Sequence, residues 1–279
     1  MTAVIPSNIA ARGLLLPARL YSSSLKNILG ISGMTGLWEA EDIDTANGFR
    51  WKPKFGAAEL VPYRNLAPLF IPAASHGKPA VQMGYGDPAF ASTERGALCT
   101  GEGVSLLGSA GFTLVMVMRA AAASETGGAV GGYAMAARNE QGANPDLTVT
   151  PDNTDTRLVI QSGSGFPRLY GGGATVQAPI DLLTSPSWVV IAAQFDDAGD
   201  TLSIRVNGGT TVASVAATGA IPSYDGARSG LFGVINAANA LPFYGQISAI
   251  ATANRALSAA ELRIIEARFG TLYGITVTP

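Results

Sequence analysis

Glu39 and Glu41 open the densest acidic run in the chain, Glu39-Ala40-Glu41-Asp42-Ile43-Asp44. On a strand this spacing places both carboxylates on one face. A retaining glycosidase needs such a pair, acid and nucleophile roughly 5–5.5 Å apart. The run stands at the start of the β-like part of the chain and not on a central strand, so the preferred reading is a solvated strand end. A second acidic group, Asp196, Asp197 and Asp200, offers oxygen ligands suited to Ca²⁺, as do Asp152 and Asp155. Asp-Asp-Ala-Gly-Asp is equally the composition of a plain hairpin turn. The expectation is therefore no resident cofactor, with Ca²⁺ as the one metal worth testing.

Other chemistries are thinly provided for. His76 is the only histidine, which excludes multi-histidine metal sites, and it lies in the turn-like Ser75-His76-Gly77-Lys78-Pro79 with no nucleophile elbow near it. Cys99 is the only cysteine, so no intrachain disulfide exists. Gly171-Gly172-Gly173 lacks the lysine and following helix of a phosphate-binding loop. No catalytic residue is assigned. Trp51, Tyr85, Tyr170 and Tyr224 lie in Gly- or Pro-flanked segments, where aromatic rings can stack on sugar faces or simply pack at a rim.

The elements that must position these residues read as strands. Phe112–Arg119 and Trp188–Phe195 are nearly continuous apolar runs, as expected at the centre of a packed sandwich. Shorter strands are expected at Leu37–Ala40, Pro79–Met83, Ala97–Cys99, Val130–Ala137, Arg157–Gln161, Ala174–Ala178, Thr201–Val206, Thr210–Ala216 and Leu231–Ile235. Val130–Ala137 is expected to pair with Phe112–Arg119. Asp196–Asp200 is a hairpin turn, and Asn207-Gly208 carries the two-residue turn signature. A strand follows from Gln246 to Ala251, then a helix start with Ser258 and Glu261 as capping box and Leu257 and Leu262 as staple. Leu262, Ile265 and Phe269 form its apolar stripe, and Gly270 its expected stop. The fold class is all-β, an antiparallel two-sheet jelly-roll sandwich with one short C-terminal helix.

Only 14% of the 279 residues are charged and the net charge is −2, which gives no basis for a nucleic-acid footprint. No run approaches the roughly 18 apolar residues of a membrane span, and Pro6, Ser7, Asn8, Arg12 and Pro17 interrupt any signal-peptide core. The first 38 residues contain Arg12, Arg19 and Lys26 but no acid. Residues 1–35 are read as an N-terminal arm and 36–279 as the sandwich. Arg12, Leu14, Leu15, Leu16, Arg19 and Tyr21 are the arm residues expected to dock on neighbouring copies or on their own domain.

The series Trp188–Phe195, the acidic-Gly turn, Thr201–Val206 and Asn207-Gly208 resembles the laminin G-like branch of the concanavalin A-like lectin/glucanase superfamily. Phe243–Ile250 followed by Asn254-Arg255-Ala256-Leu257-Ser258 and Glu261 is similar to its closing strand and helix. The likeness covers residues 100 to 275, and Met34 to Met83 more loosely. The residue order around Glu39 departs from the glucanase pattern. Members of the superfamily bind glycans or proteins, hydrolyse polysaccharides or serve as structural modules. A stand-alone sandwich with an added arm and no export signal resembles tailed-bacteriophage virion proteins. The resemblance implies a non-enzymatic virion component (capsid decoration, collar or tail-associated), made in the host cytoplasm and assembling with other virion proteins and copies of itself. The alternative it implies is an adhesin-like module for a host surface glycan, with a glycoside hydrolase behind both.

Overall fold

The computed structural model describes residues 23–56, 58–62, 67–83, 96–100, 106, 111–121, 132–137, 156–160, 165–171, 173–184, 186–209, 213–217, 231–232 and 243–278. A helical segment, α1, covers residues 23–29. The strands are β1 (Met34–Glu39), β2 (Ile43–Asp44), β3 (Arg50–Trp51), β4 (Leu60–Pro62), β5 (Leu69–Ser75), β6 (Lys78–Met83), β7 (Leu98–Thr100), β8 (Gly111–Ala120) and β9 (Gly132–Ala137). They continue as β10 (Thr156–Ile160), β11 (Pro167–Gly171), β12 (Ala174–Gln177), β13 (Val189–Asp196), β14 (Thr201–Val206), β15 (Ala213–Ala216), β16 (Leu231–Phe232) and β17 (Gly245–Ala253). Helix α2 (Ala259–Tyr273) closes the chain.

These strands form two antiparallel sheets. Sheet I has eight strands in the order β15-β14-β13-β8-β17-β6-β5, with β1 also on β17; sheet II has nine, β12-β11-β10-β9-β16-β7-β4-β3-β2. This is the jelly-roll sandwich with a C-terminal helix. The centre of sheet I explains its continuous apolar runs, because both of its faces are covered. Phe112, Leu114, Met116 and Met118 of β8, with Ile191, Ala193 and Phe195 of β13, point into the core between the sheets. The alternate residues Val115, Val117, Val190 and Ala192 pack on the other side against Leu262, Ile265 and Phe269 of α2 and Ile28 of α1. Burying each of those large helix side chains contributes roughly 1.5–3 kcal/mol.

The capping box forms as expected. The Glu261 N–H donates to Ser258 Oγ at 3.3 Å, and the Ser258 N–H donates to Glu261 Oε2 at 2.9 Å. Leu257 and Leu262 are both buried in the cluster beneath the helix. A hydrogen-bonded junction seats the corner before the cap on sheet I. Thr113 Oγ1 donates to the Arg255 carbonyl at 2.8 Å and accepts from the Leu257 N–H and the Gln194 amide, each at 3.0 Å.

Several boundaries differ from the sequence reading. The helix runs through Gly270 and ends at Gly274, whose φ of 62° is left-handed. Gly270 serves a close approach instead: a Cβ there would lie 2.7 Å from the Val277 side chain. Gly132–Ala137 pairs with β10 and β16 in sheet II, not with β8, whose two edges are taken by β13 and β17. Asn207-Gly208 does not make a two-residue hairpin, because β14 and β15 pair at Ile204 with Ala213, leaving a longer loop. Asn207 Oδ1 instead accepts from the Val190 N–H at 2.8 Å. Strand β5 went unread among the prolines. The tight I′-like turn of sheet I lies at His76-Gly77 (φ 46° and 76°), between β5 and β6.

The described part of the N-terminal arm belongs to the domain. Ile28 and Ile31 are buried against sheet I, and Ser24 Oγ accepts from Arg268 Nη1 at 2.9 Å. Arm residues Arg12, Leu14, Leu15, Leu16, Arg19 and Tyr21 lie outside the described residues. No helix among the described residues is long and apolar enough to cross a membrane.

Glu261 yields a pH prediction. The Arg255 guanidinium, and secondarily the Ser258 N–H, pull its carboxyl from 4.5 down to about 2. A lowered folded-state value means that stability is present above 4.5 and lost as pH falls toward about 2. Acid titrations of thermal midpoint should show a steeper fall across that window in the wild type than in Glu261→Gln.

Candidate functional site

The acidic run at Glu39 is a structural junction. Glu39 is wholly buried at the end of β1, and the chain then turns through a 3₁₀ segment, Ala40–Asp42, so Glu41 does not continue the strand. Arg268 of α2, itself 2% exposed, donates Nε–H to Glu39 Oε1 at 2.8 Å. Lys54 Nζ stands 3.6 Å from Glu39, 3.1 Å from Glu41 and 2.7 Å from Asp42, and Lys78 Nζ lies 3.2 Å from Glu41. Both carboxylates are thus engaged in ion pairs with neighbouring cations. Glu39 is not the solvated strand end that its sequence suggests.

A second buried pair lies toward the other side of sheet I. Arg205 of β14 donates Nε–H to Glu266 Oε1 of α2 at 2.8 Å, and Glu266 is fully buried. Burial pushes the Glu266 carboxyl up, against the opposing pull of Arg205. Together α1, α2 and the two pairs cover much of the outer face at the centre of sheet I, leaving a cavity of about 140 Å³ lined by Gln194, Ser203, Arg205 and Leu262.

The outward face of sheet II, at the β11–β12 hairpin, is different. Along β11, Pro167, Leu169 and Gly171 are buried while Arg168 and Tyr170 are half-exposed; along β12, Val176 is buried while Thr175 and Gln177 are exposed. The register sets Arg168 opposite Gln177 and Tyr170 opposite Thr175. Neighbours two apart on a strand lie about 7 Å apart and paired strands about 4.8 Å. One aromatic, one guanidinium, one amide and one hydroxyl therefore share a patch about the size of a sugar ring. Arg168 Nε–H donates to Gln177 Oε1 at 2.7 Å, which turns the Gln177 amide N–H₂ away from it. On the other flank, Arg157 of β10 occupies the register position opposite Tyr170. Such a patch can stack on a sugar ring and hydrogen-bond its substituents.

Of the sequence candidates, Tyr170 alone stands in such a setting. Trp51 is a correction: it is 0% exposed, its Nε1–H donates to the Glu39 carbonyl at 2.8 Å, and it offers no face to a sugar. Tyr85, Tyr224, Asp152 and Asp155 lie outside the described residues. Asp196, Asp197 and Asp200 flank and form the β13–β14 turn, where Asp200 takes a φ of 47° and its N–H donates to the Asp197 carbonyl. Among the described residues no group of three or more His, Cys, Asp or Glu side chains is placed to hold a metal. Arg168, Thr175 and Gln177 were not singled out from sequence, though Arg168-Leu169-Tyr170 alternates as an exposed-buried-exposed strand should.

No protein-family model and no curated protein matches the sequence. The fold does have relatives among solved structures. Trypanosoma rangeli sialidase is similar with a TM-score of 0.54 at 12% identity, covering 94% of this chain and 39% of that one. The binding domain of botulinum neurotoxin DC, in complex with SialylT, is similar with a TM-score of 0.52 at 10% identity, covering 85% of this chain and 51% of that one. The chain thus spans about two-fifths to one-half of these structures. At such identities the likeness is one of fold, a two-sheet antiparallel β-sandwich.

The Glu39–Arg268 pair generates a stability prediction. Glu39→Gln leaves the Arg268 charge buried without its carboxylate, which should cost about 3–5 kcal/mol in urea denaturation.

Proposed function

We propose that this protein is a non-enzymatic glycan-recognition module that binds through the outward face of the β11–β12 hairpin. The observation that carries this reading is the Tyr170 patch: a half-exposed ring on a rigid strand, flanked by Arg168, Thr175 and Gln177. Rings on strands hold their position better than rings on loops, which lowers the entropic cost of binding. The chain turns after Glu39, so Glu39 and Glu41 do not share a strand face, and both are taken up in ion pairs, which speaks against a paired-carboxylate glycosidase site. The structural neighbours add context, one sialidase structure having been solved with sialic acid and the toxin domain with SialylT. Tyr170→Ala should reduce affinity for any glycan that binds on an array by about tenfold or more, because the lost ring burial is a sizeable part of roughly 1.5–3 kcal/mol. Unchanged binding in Tyr170→Ala would remove the hairpin as the site.

A second reading is favoured by the acid-free stretch before Glu39, which carries Arg12, Arg19 and Lys26. In it the sandwich is a phage virion component, a decoration, collar or tail-associated protein of laminin G-like type, assembled through its N-terminal arm. Because residues 23–33 pack within the domain, the informative truncation removes only residues 1–22. The truncated protein should remain folded and lose assembly in light-scattering measurements; assembly equal to that of the full chain would end this reading.

A further inference from the structure

We infer that the β11–β12 face selects carboxylated sugars, with the terminal nitrogens of Arg168 as the fork that receives the carboxylate. This rests on the glycan reading above and adds a substrate class to it. Four other described arginines are neutralised by acids. Arg50, Arg205, Arg255 and Arg268 each meet a carboxylate, respectively Glu59, Glu266, Glu261 and Glu39. Arg168 meets only an amide oxygen, that of Gln177, and makes no ion pair among the described residues. Within the sequence 156–180 there are two basic residues, Arg157 and Arg168, and no acid.

The single bond that Arg168 makes is also the one that orients it. Nε–H is held by Gln177 across the strand pair, leaving Nη1 and Nη2 as a planar pair of donors. Two parallel N–H groups match the two oxygens of a carboxylate, a match that a lysine ammonium does not reproduce. Tyr170 lies two residues along the same strand face, about 7 Å away, so a sugar ring stacked there brings a ring carboxylate within reach of the fork. Arg157, at the register position opposite Tyr170, adds a second basic residue to the neighbouring strand. Carboxylated sugars come in two chemical types, nonulosonic acids such as sialic acid and uronic acids, and the geometry serves the carboxylate they share.

The test is isothermal titration of the full chain at physiological salt with two matched pairs, sialyllactose against lactose and trigalacturonate against its methyl ester. The expected result is a preference for the acid over its neutral partner of about 10- to 100-fold in at least one pair. That preference should vanish in Arg168→Gln, weaken in Arg168→Lys and persist in Arg263→Gln, which removes an exposed charge from α2 instead. The pair that shows it identifies the sugar type. Equal binding of acid and neutral forms, with Tyr170→Ala weakening both, would overturn carboxylate selection and leave glycan recognition standing. A preference that survives Arg168→Gln would overturn the assignment to Arg168. No binding of any of the four sugars would overturn both readings. Thermal midpoints of the variants, expected within a degree or two for exposed positions, verify that each is folded.

Discussion

The placement of α2 across the outer face of sheet I is the constraint on which the rest of this structure depends. An apolar stripe of Leu262, Ile265 and Phe269 supplies the attraction, but burial of apolar area is non-directional and would tolerate rotation or sliding. Two buried ion pairs remove that freedom. Glu266 reaches Arg205 on β14, Arg268 reaches Glu39 on β1, and the two strands lie on opposite sides of the β13-β8-β17 centre. Such pairs add little net stability over well-packed apolar residues. What they set is position, because a shifted helix would leave four charges buried without partners.

That placement decides which strand faces are covered and which stay open to solvent. The centre of sheet I is covered on both faces, and the acidic run at Glu39 is engaged in holding the helix and Lys54. Sheet II packs its inner residues on the same core, while its β11–β12 end alternates cleanly between buried and solvent-facing side chains. The solvent-facing set mixes an aromatic ring with donors of planar geometry, a composition suited to orienting a polar ring and poorly suited to burying an apolar surface. One outer face of the sandwich is thus packed under a helix, while the β11–β12 end of the other presents polar and aromatic groups to solvent.

The two glutamates of the acidic run show why chemistry read from spacing alone goes astray. Alternation on a strand placed Glu39 and Glu41 together, yet the chain leaves the strand after Glu39 and turns. The deciding partner, Arg268, lies 229 residues away in sequence. Trp51 carries the same lesson from the opposite direction. Its Pro- and Gly-rich surroundings suggest exposure, but the two-residue strand β3, one in from the edge of sheet II, turns the indole into the core and buries it completely.

Local physics was legible without coordinates. The capping box at Ser258 and Glu261, the staple of Leu257 and Leu262 and the hairpin at Asp196–Asp200 all depend on contacts within a few residues, so their sequence signatures are complete. The all-β sandwich followed from the order and spacing of the strand runs. Long-range pairing decided the rest: which sheet takes Gly132–Ala137, whether Gly270 or Gly274 ends the helix, and which charges meet. Gly270 and Gly274 are equally free to adopt left-handed backbone, and only the return of the chain at Ile275 and Val277 over Gly270 separates them. The proposed binding patch belongs to this second class. Arg168 and Tyr170 share a face by strand period alone, but their partners Thr175 and Gln177, and the openness of that face to solvent, exist only once β12 has folded back and α2 has sealed the opposite side of the molecule.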